Sequence, residues 1–275
     1  MTYKTILVYL NDERRAVAML EPAIDLAARY NAHLIGLHVH AALPAPPVSY
    51  GSRVLGAIAA AARSEAEAIG SIFADMTTRR PFVAEWREVK VPHVDLAAVV
   101  MDHGRSADLL IAGQTDPDWD LAPLMDFPDR LALESGRPVL VIPYVGRYPK
   151  VGQEVMIAWK SGREAARAVF DALPLLVNAN VRILEVQERG GESSALPPDT
   201  TIAVSLARHG IKSTVQTSTA VDISVGDEIL SRAADAGADL LVMGAYGHSR
   251  MREFVFGGAT RHLLRHMTLP TLLSH

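Results

Sequence analysis

ADLLVMG, residues 238–244, nearly repeats ADLLIAG, residues 107–113. Each is a short apolar run closed by a glycine, with the length and composition of a strand buried on both faces. Downstream, RPVLVIP from Arg137 matches LPTLLSH from Leu269, and the alanine-to-proline separation is 31 residues in one half and 32 in the other. Upstream, Ile6 to Leu10 (ILVYL) precedes polar Asn11 to Arg15 and then apolar Ala16, Leu20, Ala23, Ile24 and Ala27. That pattern reads as strand, turn and amphipathic helix. Val155 to Trp159 (VMIAW) opens the same way, and adding 149 to each helix position gives Ala165, Val169, Ala172, Leu173 and Leu176, all apolar. Three segments in one order at near-constant spacing indicate duplication of a domain-sized unit.

In the first copy the expected strands are Ile6 to Leu10, His33 to Val39, Phe82 to Val89, Asp108 to Ala112 and Val139 to Ile142. The second offers Val155 to Trp159, Val181 to Val186, Lys212 to Thr217, Asp239 to Met243 and Thr271 to Leu273. Continuous apolar strands alternating with helices imply an α/β fold with a parallel sheet covered on both faces. Right-handed crossovers make 3-2-1-4-5 the expected strand order, with a ligand crevice between strands 1 and 4 at their carboxyl ends. The expected domains are residues 1–146 and 151–275, joined by the Pro/Gly-bearing stretch VGRYPKVG. The breaker-rich segments 41–52 and 190–199 are expected to be mobile loops. Pro22 and Pro174 interrupt the first helix of each copy, where a bend or early end is expected.

The chain has 275 residues, 49% of them hydrophobic, and a formal net charge of -4 from 27 basic and 31 acidic residues. Interleaved charge of that balance gives no footprint for nucleic acid or an anionic membrane. Without cysteine, disulfides and thiolate chemistry are excluded. No run reaches the roughly 18 apolar residues of a membrane span, and a cytoplasmic location is expected.

Beyond the strand ending at Gly244, the sequence reads GAYGHSRMREFVFGGAT, residues 244–260. Glycines at the mouth of a crevice admit a ligand to the backbone. Gly257 and Gly258 precede ATRHLLRH, expected to be a helix whose N-terminus offers free N–H groups and a positive dipole end to an anion. The alternative is that these glycines make a tight connection around a packed loop.

The pattern G-2x-G-9x-G after strand 4 of a five-stranded α/β domain resembles the nucleotide-binding segment of the universal stress protein family, in its tandem form. The resemblance covers essentially the whole chain. It implies two Rossmann-like (adenine nucleotide alpha hydrolase-like) domains, binding of ATP or another adenine nucleotide with accompanying Mg²⁺, and assembly through strand 5. That assembly is either a homodimer or an internal pseudo-dimer. It further implies a stress-response sensor or interaction module with protein partners, and at most weak ATP hydrolysis.

By that resemblance Met243 and Gly244 lie against the nucleotide, Gly247 admits the phosphates, and Gly257, Gly258 and Ala259 hold them, with His248 lining the loop. Where the family has Ser or Thr after the last glycine this chain has Gly258, with Thr260 as a substitute hydroxyl. Ala158, Trp159 and Lys160 end strand 1 of the second copy, and Lys160 stands where the family has an acidic residue. In the first copy, QTDPDWDLAPLMDFPDR replaces the glycine segment, with five acidic residues from Asp116 to Asp129. Carboxylates repel phosphate, so no triphosphate site is expected there, and Asn11 with Asp12 takes the strand 1 position.

Three other readings arise from the residues. GHSRM at Gly247 to Met251 approaches the nucleophile elbow G-x-S-x-G around Ser249, but Met251 replaces the final glycine and the segment is set back from the strand. His38 with His40, and His262 with His266, share faces from which a metal could be held; both pairs read more simply as packing or surface residues. An interaction protein that binds no nucleotide in either half is the alternative to a nucleotide-binding sensor.

Overall fold

A computed structural model describes residues 2–41, 52–91, 95–188, 200–247 and 258–275. Most of the two breaker-rich loops and all of His248 to Gly257, which includes Ser249, lie outside the described residues. The first half comprises β1 (Thr5–Tyr9), α1 (Glu13–Tyr30), β2 (His33–Ala41), α2 (Ser52–Thr77), β3 (Ala84–Val91), α3 (Leu96–Gly104), β4 (Leu109–Gly113), α4 (Ala122–Met125), α5 (Pro128–Glu134) and β5 (Val139–Ile142). The second comprises β6 (Glu154–Ala158), α6 (Arg163–Asp171), α7 (Leu173–Leu176), β7 (Asn180–Glu188), α8 (Thr201–Arg208), β8 (Ser213–Ala220), α9 (Val225–Asp235), β9 (Leu240–Gly244), α10 (Ala259–His266) and β10 (Thr271–Ser274).

The strand order is β3-β2-β1-β4-β5-β10-β9-β6-β7-β8, one sheet of ten. Each half has the order 3-2-1-4-5 with all pairs parallel, and the halves meet in the antiparallel pair β5–β10. Strand composition explains the sequence of positions. The inner strands LLIAG, VLVI and TLLS are buried at every residue, while outermost AEWREVKV and STVQTSTA are largely polar and partly exposed. Polar, charged edges discourage further strand addition.

Two apolar layers cover the sheet, and each runs unbroken across both halves. One holds α1, α2, α6, α7 and α8 through residues such as Leu20, Phe73, Ala168, Leu175 and Leu206. The other holds α3, α5, α9 and α10 through Val100, Leu131, Ile229 and Leu263. The β5–β10 ladder pairs Leu272 with Leu140, both fully buried. Of the two assemblies expected through strand 5, the internal pseudo-dimer is therefore present, and it leaves no free ladder on β5 or β10 for a second chain. Polar contacts lock the seam: Tyr3 Oη donates to Asp171 O at 2.7 Å and Tyr30 Oη to Pro174 O at 2.9 Å. Fully buried Gln114 donates to Leu264 O at 2.9 Å and accepts from Tyr144 N at 3.1 Å.

The two prolines behave differently. The first helix of the second half ends early at Asp171, as expected, and restarts as α7 with Pro174 in its first turn, where Pro174 O accepts from Tyr30 Oη. α1 instead continues through Pro22 to Tyr30. Leu20, Ala23 and Ile24 anchor it to the core on both sides of the proline, so tertiary packing outweighs the local cost of about 3 kcal/mol. Among the described residues no helix is long and apolar enough to cross a membrane.

Candidate functional site

The crevice of the second half lies between β6 and β9, where Ala158 pairs with Met243. Ala158, Trp159 and Lys160 therefore end one wall, and Met243 and Gly244 end the other. Lys160 is exposed, whereas Trp159 is 7% exposed and belongs to the apolar layer under the crevice. Gly244 has a structural use that its strand pattern does not reveal. A Cβ there would lie 2.5 Å from Ala165 N and Glu164 C, so the missing side chain lets the first turn of α6 press against β9. The space at Gly244 is filled by backbone of the chain itself.

Past β9, Tyr246 takes a left-handed conformation (φ 56°) and turns the chain toward α10. Its N–H donates to Thr260 Oγ1 at 3.1 Å, tying the loop to the helix's first turn. Thr260 is buried, and this bond uses one of its acceptor lone pairs while its O–H can still donate. Gly258 occupies the N-cap position and brings no side chain to cap α10. N–H groups of the first turn, including Ala259 and Thr260, lack intrahelical partners. Gly247 is exposed beside this helix start. His248 and Gly257 lie outside the described residues.

The sequence reading missed Glu164. Its side chain is buried in the first turn of α6, with Oε2 3.4 Å from where a Cβ on Gly247 would sit. Arg163 clasps the other oxygen, with Nε at 2.9 Å and Nη2 at 2.8 Å from Oε1. A carboxylate thus stands over the glycine expected to admit phosphates, with a guanidinium at its back.

The matching place in the first half is closed by the chain's own side chains. Arg15, 149 residues before Glu164, lies against Gly113, where any Cβ would run into Arg15 Nη2. Asp126, whose side chain is 1% exposed, faces it with Oδ2 3.4 Å from Arg15 Nη1. Asn11 Nδ2 donates to Asp126 Oδ1 at 2.7 Å and to Met125 O at 2.9 Å, and Asp116 N donates to Asp126 Oδ2 at 3.2 Å. Phe127 stacks on Tyr9 at a centroid distance of 5.2 Å. Burial raises the Asp126 carboxyl above its usual range, against the pull of Arg15 and Asn11. Asp12 accepts from Arg14 N as the N-cap of α1, and its carboxylate pairs with the Arg14 guanidinium. The signal that could have found these residues is the repeat, since aligning the copies sets Arg15 on Glu164 and Asp126 beside Gly257.

The two histidine pairs take part in other contacts. His38 is buried with Nδ1 2.7 Å from Leu10 O, and burial lowers its pKa. His40 Nε2 is 3.2 Å from Glu88. His262 Nε2 lies 2.7 Å from Asp227, and His266 Nδ1 lies 2.9 Å from His262 O. Among the described residues no group of three or more His, Cys, Asp or Glu is placed to hold a metal ion.

The model of the universal stress protein family matches the chain twice, at residues 2–143 and 155–275. A universal stress protein of Synechocystis sp. is 42% identical over 55 residues, a stretch that covers 19% of this chain and 19% of that relative. Among solved structures, a universal stress protein from Archaeoglobus fulgidus aligns over 98% of this chain and 95% of its own, with TM-score 0.68 and 15% identity. A protein of unknown function from Pseudomonas aeruginosa aligns over 99% of this chain and 92% of its own, with TM-score 0.59 and 15% identity. At those identities the two structures speak for the fold alone.

Proposed function

Because the chain belongs to the universal stress protein family, both of its halves matching the family model, we propose that it is a stress-response sensor or interaction module with one nucleotide site. The C-terminal half binds ATP or another adenine nucleotide, and the N-terminal half does not. The observation that carries this reading is the uncapped start of α10. Gly258 gives the first-turn N–H groups no side-chain cap, and the Thr260 bond to Tyr246 sets them beside exposed Gly247. Helix N-termini of that kind favour anions through free donors and the dipole. The corresponding place in the first half holds the buried carboxylate of Asp126.

In this reading Ala158, Trp159, Lys160, Met243 and Gly244 border the ligand. Gly247, His248, Gly257, Gly258, Ala259 and Thr260 face its phosphates. Lys160, exposed at the end of β6, contributes a cation that meets a phosphate but accepts no hydrogen bond from adenine or ribose. Mg²⁺ would enter with the nucleotide and offset phosphate charge. Protein partners follow from the sensor role, and a cytoplasmic location suits it.

Glu164 weakens the fit, because its carboxylate faces Gly247, and that observation favours the second reading, an interaction protein without nucleotide. The Glu164→Gln variant separates the two. Removing one screened like charge near the phosphates should tighten ATP binding about tenfold, measured as the ATP concentration that half-saturates a thermal shift. Nucleotide binding in neither the parent protein nor the Gln variant would leave the second reading standing.

A further inference from the structure

The first half holds more buried donors than its internal acceptor uses. Asn11 Nδ2, Asp116 N–H and Arg15 Nη1 converge on the Asp126 carboxylate at 2.7, 3.2 and 3.4 Å. Among the described residues Arg15 Nη2 and Tyr9 Oη are buried with no hydrogen-bond partner, in an arginine whose side chain is 10% exposed and a tyrosine 2% exposed. Burial, and after it the nearby Asp126 charge, raises the pKa of the Tyr9 hydroxyl and keeps it a neutral donor. Leaving such groups unpaired is costly, because each has lost its water without gaining an acceptor, and a carboxylate in this position does not reach them.

We propose that the N-terminal cleft is an oxyanion site whose resident ligand is the chain's own Asp126 carboxylate. Asp126 directly precedes Phe127, the N-cap residue of α5, as Gly257 precedes the N-cap Gly258 of α10. The carboxylate therefore enters from the position where the other half has a glycine. Gly113 supplies the room in which the Arg15 guanidinium lies. A tetrahedral oxyanion has more acceptor oxygens than a carboxylate and would engage the two idle donors as well. Of the other acids near this place, Asp12 is committed to Arg14 and the start of α1, and Asp116 accepts from Asp118 N. A ligand tethered on a short loop is present at roughly millimolar effective concentration or above, which keeps free phosphate out. One half carries a permanent internal ligand, and this inference stands whether or not the other half binds nucleotide.

The test uses inorganic phosphate against the full chain, with chloride at matched ionic strength as reference. Asp126→Ala should bind phosphate at least tenfold more tightly than the parent protein, read as a phosphate-dependent rise in melting temperature. Asp126→Asn, which keeps the polar contacts and loses the charge, should show a smaller gain in the same direction. Pairing Asp126→Ala with Arg15→Met should abolish the gain. Any phosphate bound by the C-terminal half is common to all variants and cancels. No gain in either single variant, or a gain that survives loss of Arg15, would overturn the proposal. If Asp126→Ala folds poorly, rescue by phosphate supports it, and Asp126→Asn without any gain counts against it.

Discussion

Gly244→Ala is expected to destabilise the protein by roughly 3 kcal/mol, the size of an overpacked backbone contact. The new Cβ would meet backbone atoms, Ala165 N and Glu164 C, at 2.5 Å. No rotamer change relieves a clash with backbone, so the first turn of α6 must move off β9. That shift disturbs Ala165 and Ala168, buried in the layer that spans both halves. Gly247→Ala is the control, because among the described residues its Cβ would have only Glu164 Oε2 nearby at 3.4 Å, and its cost should stay within about 0.5 kcal/mol. Urea denaturation of the two variants side by side checks the claim. Equal midpoints would mean that Gly244 does not hold α6 against the sheet.

Arg15→Met should cost about 3 kcal/mol at neutral pH, because it leaves a buried carboxylate without its cation. The cost should depend on pH, and its sign follows from Asp126. Burial already raises that carboxyl, with Arg15 the largest opposing influence. Without Arg15 the folded-state pKa climbs further while the unfolded value stays in the ordinary carboxylate range. The folded variant then binds a proton that the unfolded chain does not, so its stability relative to the parent falls as pH rises through the raised pKa. Denaturation at a series of pH values should show the penalty full near pH 8 and fading as pH drops toward about 4, where the carboxyl is neutral. A penalty independent of pH would show that Arg15 acts through packing alone.

Much of the fold is legible in the sequence because burial on both faces leaves a strong mark. Continuous apolar runs such as LLIAG and VLVI specify inner strands, and right-handed crossovers then order them. The partner of strand 5 is not legible, since an internal copy and a second chain would satisfy the same exposed ladder. What decides it is spatial. The link between Ile142 and Glu154 is short, and both apolar layers continue across the seam. Pro22 misleads because local propensity carries no information about Leu20 and Ile24 on either side of it.

The candidate site is legible in part. Glycines announce a close approach but do not say what approaches, and at Gly244 the visitor is α6. Charged residues in the first turn of a helix are common on any surface, so nothing local distinguishes Arg15 or Glu164. Their meaning appears only when the copies are overlaid and each proves to lie over the glycine region of its own crevice. One half there holds an arginine with an internal carboxylate, and the other holds a glutamate over Gly247 and a helix start without a side-chain cap.

The difference between the halves is most directly tested by calorimetric titration of the purified, nucleotide-stripped protein with ATP and Mg²⁺, in parallel with a Gly247→Val variant. A single site per chain, lost in the variant, is the predicted result. Two equivalent sites per chain, or heat of binding unchanged by the variant, would contradict the assignment of nucleotide to the C-terminal half alone.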